Sequence, residues 1–268
     1  MSLLVVIPAR AESSRLPLKP LRPIAGVSLL HRTIAFARHA LSDVPEADLV
    51  VATDDPRILS HAQEAGCEAV MTDPAIASGS GRALAAARAA RELPDIIINL
   101  QGDAPFQPLG APSAIIRALS SGDGDVATPV VRLTWDALDA MRDHKKREPF
   151  SGTTCARAAD GRALWFSKMI VPAIRNEDAL RASGEPCPVW RHIGLYGYRR
   201  HALERFEAAE PTELERLEGL EQLRLLELGL RIETVQVSPA LFDISGIDTP
   251  ADIVRAEALI AAHGDPHH

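Results

Sequence analysis

Cysteine, aromatic side chains and positive charge are all scarce in this chain of 268 residues. The 3 cysteines, Cys67, Cys155 and Cys187, lie at no metal-ligand or redox spacing, so they argue against a disulfide framework and favour a reducing compartment. The formal net charge of -7 argues against a nucleic-acid partner or an anionic membrane surface. No apolar run reaches the length of a membrane span, and the run at 3–7 is too short for a signal-peptide core. We therefore expect a cytoplasmic protein that binds neither nucleic acid nor membrane.

What the sequence does contain is an alternation of short apolar runs with amphipathic segments. Hydrophobic residues make up 46% of the chain and charged residues 24%, which suits a single globular domain spanning residues 1–268. Strands are predicted in the first half at 3–7, 49–52, 69–71, 96–100 and 126–131. Helices are predicted between them at 28–39, 55–64, 82–92 and 112–119. This alternation predicts an α/β fold with a mostly parallel sheet and helices on both faces.

The rhythm changes between about 144 and 200. Strand-like segments at 153–157, 163–166 and 193–198 follow one another without intervening helices. This part of the chain therefore predicts a small antiparallel insertion subdomain on the main sheet. A helical stretch at 213–228, a strand at 232–237 and a helix at 249–262 complete the pattern.

The loop after the first strand carries three cations, Arg10, Arg15 and Lys19, among several prolines. Ligands of open α/β sheets bind at the carboxyl ends of the strands, where this loop lies. Its cations and backbone amides could neutralise and approach a triphosphate. A proline-stiffened, solvated loop is the alternative, but three cations at this position favour phosphate binding.

Two aspartates occupy positions from which they could hold a metal ion. Asp103 lies just past the apolar run at 96–100, and Asp248 precedes a helix that Thr249 can cap without its help. If the two meet in space, their carboxylates could hold Mg²⁺ on a triphosphate. The alternative for Asp103 is an aspartate that stabilises its own turn.

Other nucleotide-binding patterns are weak or missing. The sequence contains no Gly-x-x-x-x-Gly-Lys-Ser/Thr run, which excludes a P-loop at the level of the motif. The segment at 78–84 has glycines near dinucleotide-fingerprint spacing, but Leu84 replaces the small third residue. It also follows the third predicted strand, whereas that fingerprint usually follows the first. A dinucleotide-dependent dehydrogenase is therefore only a weak alternative.

Together, the motifs resemble the 3-deoxy-manno-octulosonate cytidylyltransferases. The matching stretches, in family order over nearly the whole chain, are PARAESSRLPLKPL, VVATDDPRI, NLQGDAP, FSKMIVP from Phe166, HIGLYGYR from His192, LEGLEQLRLLELG from Leu217, and GIDTPADI. The resemblance implies a nucleotide-binding α/β fold and a reaction in which CTP and an ulosonic acid sugar give the CMP-sugar and pyrophosphate. It further implies Mg²⁺ as cofactor, a homodimer formed through the small subdomain, and a role in lipopolysaccharide synthesis.

The resemblance also assigns roles to individual residues. Lys19, Asp103 and Asp248 would be the catalytic residues, with the two aspartates as metal ligands. The nucleotide would be contacted by Arg10, Arg15, Lys19 and Arg82. The acidic sugar would be contacted by Gln101, His192, Tyr196, Glu221 and Gln222. Without the family, His192 and Tyr196 would be interpreted as structural residues, and Glu221 and Gln222 as the solvated face of a helix.

The chain departs from the family pattern mainly around the sugar. Five single residues differ from the family pattern: Leu18 replaces glycine, Ser80 threonine, Gly81 an acidic residue, Ala104 glutamate and Lys168 arginine. The segment at 148–151 lacks the expected Asn-Pro-Asn, and Thr154 lies near the place of a lysine. A lysine cannot reproduce the bidentate grip of an arginine on a carboxylate. A cytidylyltransferase for a different acid sugar, or a nucleotide-binding homologue with little turnover, are therefore the alternatives. We give His267 and His268 no role.

Overall fold

The computed structural model describes residues 1–12, 15–242, 244 and 246–266. His267 and His268 lie outside the described residues, as do Ser13 and Ser14 of the first motif. Within this part of the chain, the strands are β1 Leu3–Ala9, β2 Pro23–Ile24, β3 Val27–Ser28, β4 Ala47–Thr53, β5 Glu68–Met71, β6 Ile96–Asn99, β7 Val126–Arg132, β8 Thr154–Arg157, β9 Ala163–Ser167, β10 Trp190–His192, β11 Tyr196–Arg199 and β12 Ile232–Gln236.

The main sheet has a parallel centre and an antiparallel extension. Its strand order is β5-β4-β1-β6-β11-β7-β10-β8-β9, with β12 paired to β7. Strands β5, β4, β1 and β6 run parallel, and β12 runs parallel to β7. Strands β8 to β11 pair only antiparallel. The predicted α/β fold with an antiparallel insertion is confirmed, and β2 and β3 form a separate hairpin.

Helices connect the strands and cover the sheet. They are α1 Leu29–Ala40, α2 Pro56–Glu64, α3 Gly79–Ala89, α4 Ala111–Ser121, α5 Trp135–Arg147, α6 Glu177–Ala182, α7 Arg200–Ala208, α8 Glu213–Glu218, α9 Glu221–Glu227 and α10 Pro250–His263, with a 3-10 turn at Lys19–Leu21. Side-chain oxygens of Ser28, Ser78 and Thr249 cap α1, α3 and α10. Among the described residues, none of these helices combines the length and apolarity that a membrane span requires.

Two hydrophobic cores lie on opposite faces of the sheet. Side chains of alternating residues in β1 separate them, because Val5 and Ile7 join one core while Leu4 and Val6 join the other. The first core contains α1 and α4, and the second contains α3, α7 and α9. The predicted arrangement of helices on both faces is therefore confirmed.

Some predicted elements differ from the structure. The strand expected at 193–198 is β11 at Tyr196–Arg199, because Ile193–Leu195 form a tight turn, and β10 at Trp190–His192 precedes this turn and was not predicted. The helix expected at 213–228 is α8 and α9, which Gly219 separates with a φ of 62°. Helices α5 and α7 were not predicted, and only Leu138 of α5 is buried, so its apolar periodicity is faint. The assignment of 144–200 as a dimerisation subdomain stays a prediction.

Candidate active site at the carboxyl ends of the strands

Lys19 lies between two aspartates beyond the ends of the parallel strands. Its Nζ atom is 2.6 Å from Oδ2 of Asp103 and 3.0 Å from Oδ1 of Asp248. Burial opposes the charge on Lys19, but the contacts with the two carboxylates outweigh burial and raise the pKa of the ammonium. The structure thus brings the three predicted catalytic residues together, with one cation between two anions.

Backbone contacts explain why two aspartates so distant in sequence meet. The amide of Ile247 donates to the carbonyl of Asp103 at 2.8 Å. Thr249 and Asp252 form a reciprocal capping box at the start of α10, and the Asp252 carboxylate also accepts from the amide of Asp248 at 3.0 Å. This box satisfies the first amides of the helix. The Asp248 carboxylate is therefore left to face the lysine.

Gly102 allows the loop after β6 to pass against β1. A Cβ atom at this position would lie 2.2 Å from the carbonyl oxygen of Pro8. Real side chains do not approach a backbone oxygen so closely, so glycine is required if Asp103 is to lie beside the end of β1. Gln101, the preceding residue, is half-buried at the same edge. Its contact with the sugar stays a prediction.

The two predicted phosphate-binding arginines surround the end of β1. A guanidinium nitrogen of Arg15 is 3.3 Å from Oδ1 of Asp248, and this side chain is 63% exposed. Arg10 is also exposed and donates to the carbonyl of Ala77 at 3.2 Å, which links its loop to the loop before α3. Both guanidinium groups are thus accessible to an anion that enters from solvent.

The donor set of Asp103 and Asp248 fits a hard divalent cation. Carboxylate oxygens are the ligands that Mg²⁺ prefers, and the ammonium of Lys19 already lies between these two groups. Among the described residues, no group of three His, Cys, Asp or Glu side chains could form a metal cage. A metal here would therefore take its remaining ligands from water and from substrate phosphates, as Mg²⁺ commonly does.

Arg82 lies beneath the site, inside the protein. Its side chain is 2% exposed, and it donates to Oγ1 of Thr72 at 2.5 Å, to Oδ2 of Asp54 at 2.5 Å and to the carbonyl of Ile76 at 3.0 Å. These bonds tie the segments that follow β4 and β5 to α3. They give Arg82 a structural role that the sequence did not predict, and its contact with nucleotide stays a prediction.

His192 and Tyr196, two of the predicted sugar contacts, pack together on β10 and β11. Their ring centroids are 5.4 Å apart, and Phe166 meets the His192 ring edge-on at 5.1 Å. Nε2 of His192 is 2.9 Å from Oγ1 of Thr128. Burial, reinforced by the charge of Lys168, lowers the pKa of His192 to about 3. His192 is therefore a neutral hydrogen-bonding group at neutral pH.

Glu221 and Gln222 begin α9 and differ in exposure. Glu221 is exposed at the surface. Desolvation by neighbouring protein atoms raises the pKa of its carboxyl; the charge of Arg224 opposes this shift and that of Glu207 adds to it. Gln222 is 4% exposed, and its Nε2 atom has no hydrogen-bond partner among the described residues. Unpartnered buried donors are rare in folded proteins, and the contact of Gln222 with the sugar stays a prediction.

Lys145 was missed by the sequence reasoning because it lies on α5, which was not predicted. Its Nζ atom donates to the carbonyl of Lys168 at 2.7 Å and to the carbonyl of Ser151. The amide of Lys168 in turn donates to Oε2 of Glu218 at 2.8 Å. These bonds fix the backbone at the end of β9, and the charge of Lys168 is close enough to contribute to the lowered pKa of His192.

Comparison with known proteins shows the family of this chain. The family model described as cytidylyltransferase matches residues 4–232. The chain therefore belongs to the cytidylyltransferase family of nucleotidyltransferases.

Individual relatives are similar over the whole length. The chain is 43% identical over 269 residues to the 3-deoxy-manno-octulosonate cytidylyltransferase of Maricaulis maris (strain MCS10), covering 99% of both chains. It is 39% identical over 264 residues to the protein of the same name from Chelativorans sp. (strain BNC1), covering 98% of both. A solved structure of CMP:2-keto-3-deoxy-manno-octonic acid synthetase complexed with CTP superposes with a TM-score of 0.81 at 30% identity, covering 98% of this chain and 99% of that one. The resemblance predicted from the motifs is confirmed.

Proposed function

We propose that this protein transfers CMP from CTP to 3-deoxy-manno-octulosonate and releases pyrophosphate. The observation that carries the proposal is the cluster of Lys19, Asp103 and Asp248 at the carboxyl ends of the strands. It lies in a chain that matches 3-deoxy-manno-octulosonate cytidylyltransferases along its whole length. A solved relative with the same fold is described as complexed with CTP.

The reaction is an in-line displacement at the α-phosphorus of CTP. The anomeric hydroxyl of the sugar forms the new oxygen–phosphorus bond and loses its proton, while the bond from the α-phosphorus to the pyrophosphate oxygen breaks. Transfers of this kind depend mainly on positioning and on neutralising the phosphate charge. Arg10 and Arg15 bind the entering triphosphate. Lys19 then exchanges an aspartate contact for an oxygen of the leaving pyrophosphate.

Mg²⁺ is the cofactor in this proposal, held by Asp103 and Asp248. When bound, it supplies charge neutralisation and lowers the pKa of the attacking hydroxyl. Lys19 keeps the two carboxylates close together before the substrate arrives, so that little rearrangement is needed afterwards. Among the described residues we assign no side chain as general base.

The acidic sugar would bind on the face of the sheet that carries His192 and Tyr196. Lys168, whose charge is felt by His192, supplies a cation for the sugar carboxylate. Because a lysine gives a point charge where the family pattern has an arginine fork, this contact is less directional. That difference motivates the alternative substrate, a related acid sugar with a different substitution pattern.

We further propose a cytoplasmic homodimer. The three cysteines are free thiols and buried, which suits a reducing compartment. Apolar side chains are exposed in the antiparallel extension, with Phe150 at 74% and Met169 at 63%. Exposed apolar clusters of this kind commonly mark contact surfaces between subunits. Light scattering coupled to size exclusion would test this, because F150S/M169S should then run as a monomer.

A pyrophosphate-release assay tests the proposed activity. The wild-type protein should release pyrophosphate from CTP with 3-deoxy-manno-octulosonate, only when Mg²⁺ is present, and faster than with other ulosonic acids. Asp103→Ala should lose nearly all turnover, whereas Asp48→Ala, an exposed residue of β4, should keep it. Faster turnover of another acid sugar would identify the alternative substrate. Tight CTP binding without turnover of any sugar would favour the nucleotide-binding homologue and refute the proposal.

A further inference from the structure

Glu207 is a carboxylate that the proposed mechanism leaves unused. It lies near the end of α7, a helix that runs from the opposite edge of the sheet back towards the catalytic edge. It is half-buried, and its Oε1 atom is buried without a hydrogen-bond partner among the described residues. A buried carboxylate oxygen without a partner is costly, so its retention calls for a physical reason.

The carboxylate of Glu207 lies beside the first turn of α3. Its Oε2 atom accepts a long hydrogen bond of 3.5 Å from Oγ of Ser78. A Cβ atom built at Gly81 would lie 2.9 Å from the same oxygen. The absence of a side chain at Gly81 thus leaves room for this carboxylate, in the segment where the chain departs from its family pattern.

This turn of α3 belongs to the catalytic edge of the sheet. A Cβ atom at Gly79 would lie 3.4 Å from Cγ of Pro8, near the end of β1, and 3.5 Å from Nδ2 of Asn99, the last residue of β6. A helix N-terminus attracts negative charge, which favours a carboxylate here. The Ser78 hydroxyl, however, already caps α3 by accepting from the amide of Gly81 at 2.9 Å. Glu207 is therefore not needed as a cap.

The end of α7 also contacts the start of α9, where the predicted sugar contacts Glu221 and Gln222 lie. The Arg224 guanidinium of α9 donates to the carbonyls of Phe206 and Ala209, on either side of Glu207. Glu207 is close enough to contribute to the raised pKa of Glu221. The structure therefore joins Glu207 to the region proposed to hold the sugar.

Several polar side-chain atoms of these elements lack hydrogen-bond partners among the described residues and can therefore bond a polar ligand. Buried and unpartnered among the described residues are Ser80 Oγ, Asn99 Oδ1, Glu207 Oε1 and Gln222 Nε2. They belong to α3, β6, α7 and α9, which all contribute to the second hydrophobic core. Asn99 Oδ1 and Glu207 Oε1 are acceptors, Ser80 Oγ can donate or accept, and a polyhydroxylated molecule supplies donors for them.

We propose that Glu207 is a specificity-determining residue that accepts a hydrogen bond from a hydroxyl of the acidic sugar. This inference rests on the proposed function and adds a contact from an element that the motifs do not include. A site built to bond a hydroxyl discriminates against analogues that lack it, because its own polar group is then left unpaired. Glu207 thereby selects among ulosonic acids by their hydroxyl pattern.

A cycle of variants and substrates tests this contact. Steady-state pyrophosphate release is measured for wild type and Glu207→Ala, with 3-deoxy-manno-octulosonate and with analogues that each lack one hydroxyl. Glu207→Ala should raise the KM for the sugar about 10- to 100-fold, the usual loss for a hydrogen bond to a charged group, with the KM for CTP unchanged. For one analogue that wild type uses poorly, the ratio of its kcat/KM to that of the full sugar should rise towards one in the variant. Glu204→Ala, an exposed residue on the same helix, is the control and should behave as wild type.

Each outcome decides the question. If Glu207→Ala does not fold, Glu207→Gln replaces it, and the penalty for one analogue should fall because a neutral acceptor bonds less strongly than a carboxylate. The inference is overturned if every analogue keeps its wild-type penalty in a folded variant, or if the KM values for sugar and CTP rise together. A wild-type protein without turnover would instead refute the proposed function, and this inference with it.

Discussion

Replacing Lys19 by methionine tests the centre of the candidate site. The side chain is 16% exposed, and its ammonium forms charge-assisted bonds of 2.6 Å to Asp103 and 3.0 Å to Asp248. Methionine has a similar length but no charge, so the two carboxylates would lose the cation between them. Hydrogen bonds to charged groups contribute about 1.5–3 kcal/mol each, and the aspartate side chains, 29% and 44% exposed, are partly screened by water.

The expected loss of stability is therefore moderate, about 2 kcal/mol for both bonds together. In a domain of this size such a loss lowers Tm by about 4–8 °C. Turnover should fall much further, by about 10²- to 10³-fold, because a preorganised cation opposite the leaving group is lost. In addition, Mg²⁺ alone should raise the Tm of Lys19→Met more than that of wild type, because no ammonium competes for the carboxylates.

Thermal melts with and without MgCl₂, together with the pyrophosphate assay, measure all three effects. Lys146→Met is the matched control, because this lysine pairs with Asp143 at 2.7 Å on α5 and both side chains are more than 70% exposed. It should leave turnover and the response to Mg²⁺ unchanged. A Lys19→Met protein with near-normal turnover would refute the role of the ammonium. If Mg²⁺ raises the Tm of wild type and of Lys19→Met equally, the inference that the ammonium and the metal compete for the same carboxylates is refuted.

Three further outcomes follow from the structure. Gly102→Ala should lower both stability and turnover, since its Cβ meets the Pro8 carbonyl at 2.2 Å, whereas Gly110→Ala, with open space around it, should melt like wild type in the same scan. Arg82→Met should lower the free energy of unfolding in urea by about 3–5 kcal/mol, because the Asp54 carboxylate, 10% exposed, loses its cationic partner and keeps the amide of Ala11 as a donor. A loss below about 1 kcal/mol, the value of a surface ion pair, would contradict the structural role. The folded pKa of His192, about 3, lies below its unfolded value, so the unfolded state binds more protons between them. Its contribution to stability is therefore full above the unfolded pKa and is lost as pH falls towards about 3; an imidazole that titrates near its ordinary pKa in NMR spectra would contradict this burial.

The fold was largely predictable because its central strands are buried on both faces. Residues in β1 and β6 supply both hydrophobic cores, so these strands appear in the sequence as continuous apolar runs. Helices with an apolar stripe and a capping residue, such as α1 with Ser28, were equally visible. Helix α5 was missed for the opposite reason, because its interactions are mainly ion pairs and only Leu138 is buried.

The meeting of Asp103 and Asp248 was predictable because a local rule applied to each residue. Asp103 follows an apolar strand, at the edge of the sheet where ligands bind. Asp248 precedes a helix that already has its cap, so its side chain is not needed for capping and can face the same site. Lys145 and Glu207 obeyed no such rule, because their importance arises from tertiary contacts of helices that the sequence pattern did not reveal. The burial of Arg82 could not be predicted either, since its carboxylate partner Asp54 lies on another element.

The net charge of -7 poses a problem for a protein proposed to bind a triphosphate, and Lys19 shows how it is solved. Two carboxylates close together would repel CTP and each other, and the ammonium between them offsets that repulsion in the empty site. Asp103 and Asp248 would hold Mg²⁺ when the triphosphate binds, and the metal would supply the neutralising charge, so that the Lys19 ammonium would be free to face phosphate oxygens. The same lysine can thus stabilise the site before binding and the leaving group during transfer, which requires that it remain charged in both states. In the empty site the two carboxylates raise the pKa of Lys19 and keep the ammonium protonated, and phosphate oxygens would favour the charged form in the same way after binding.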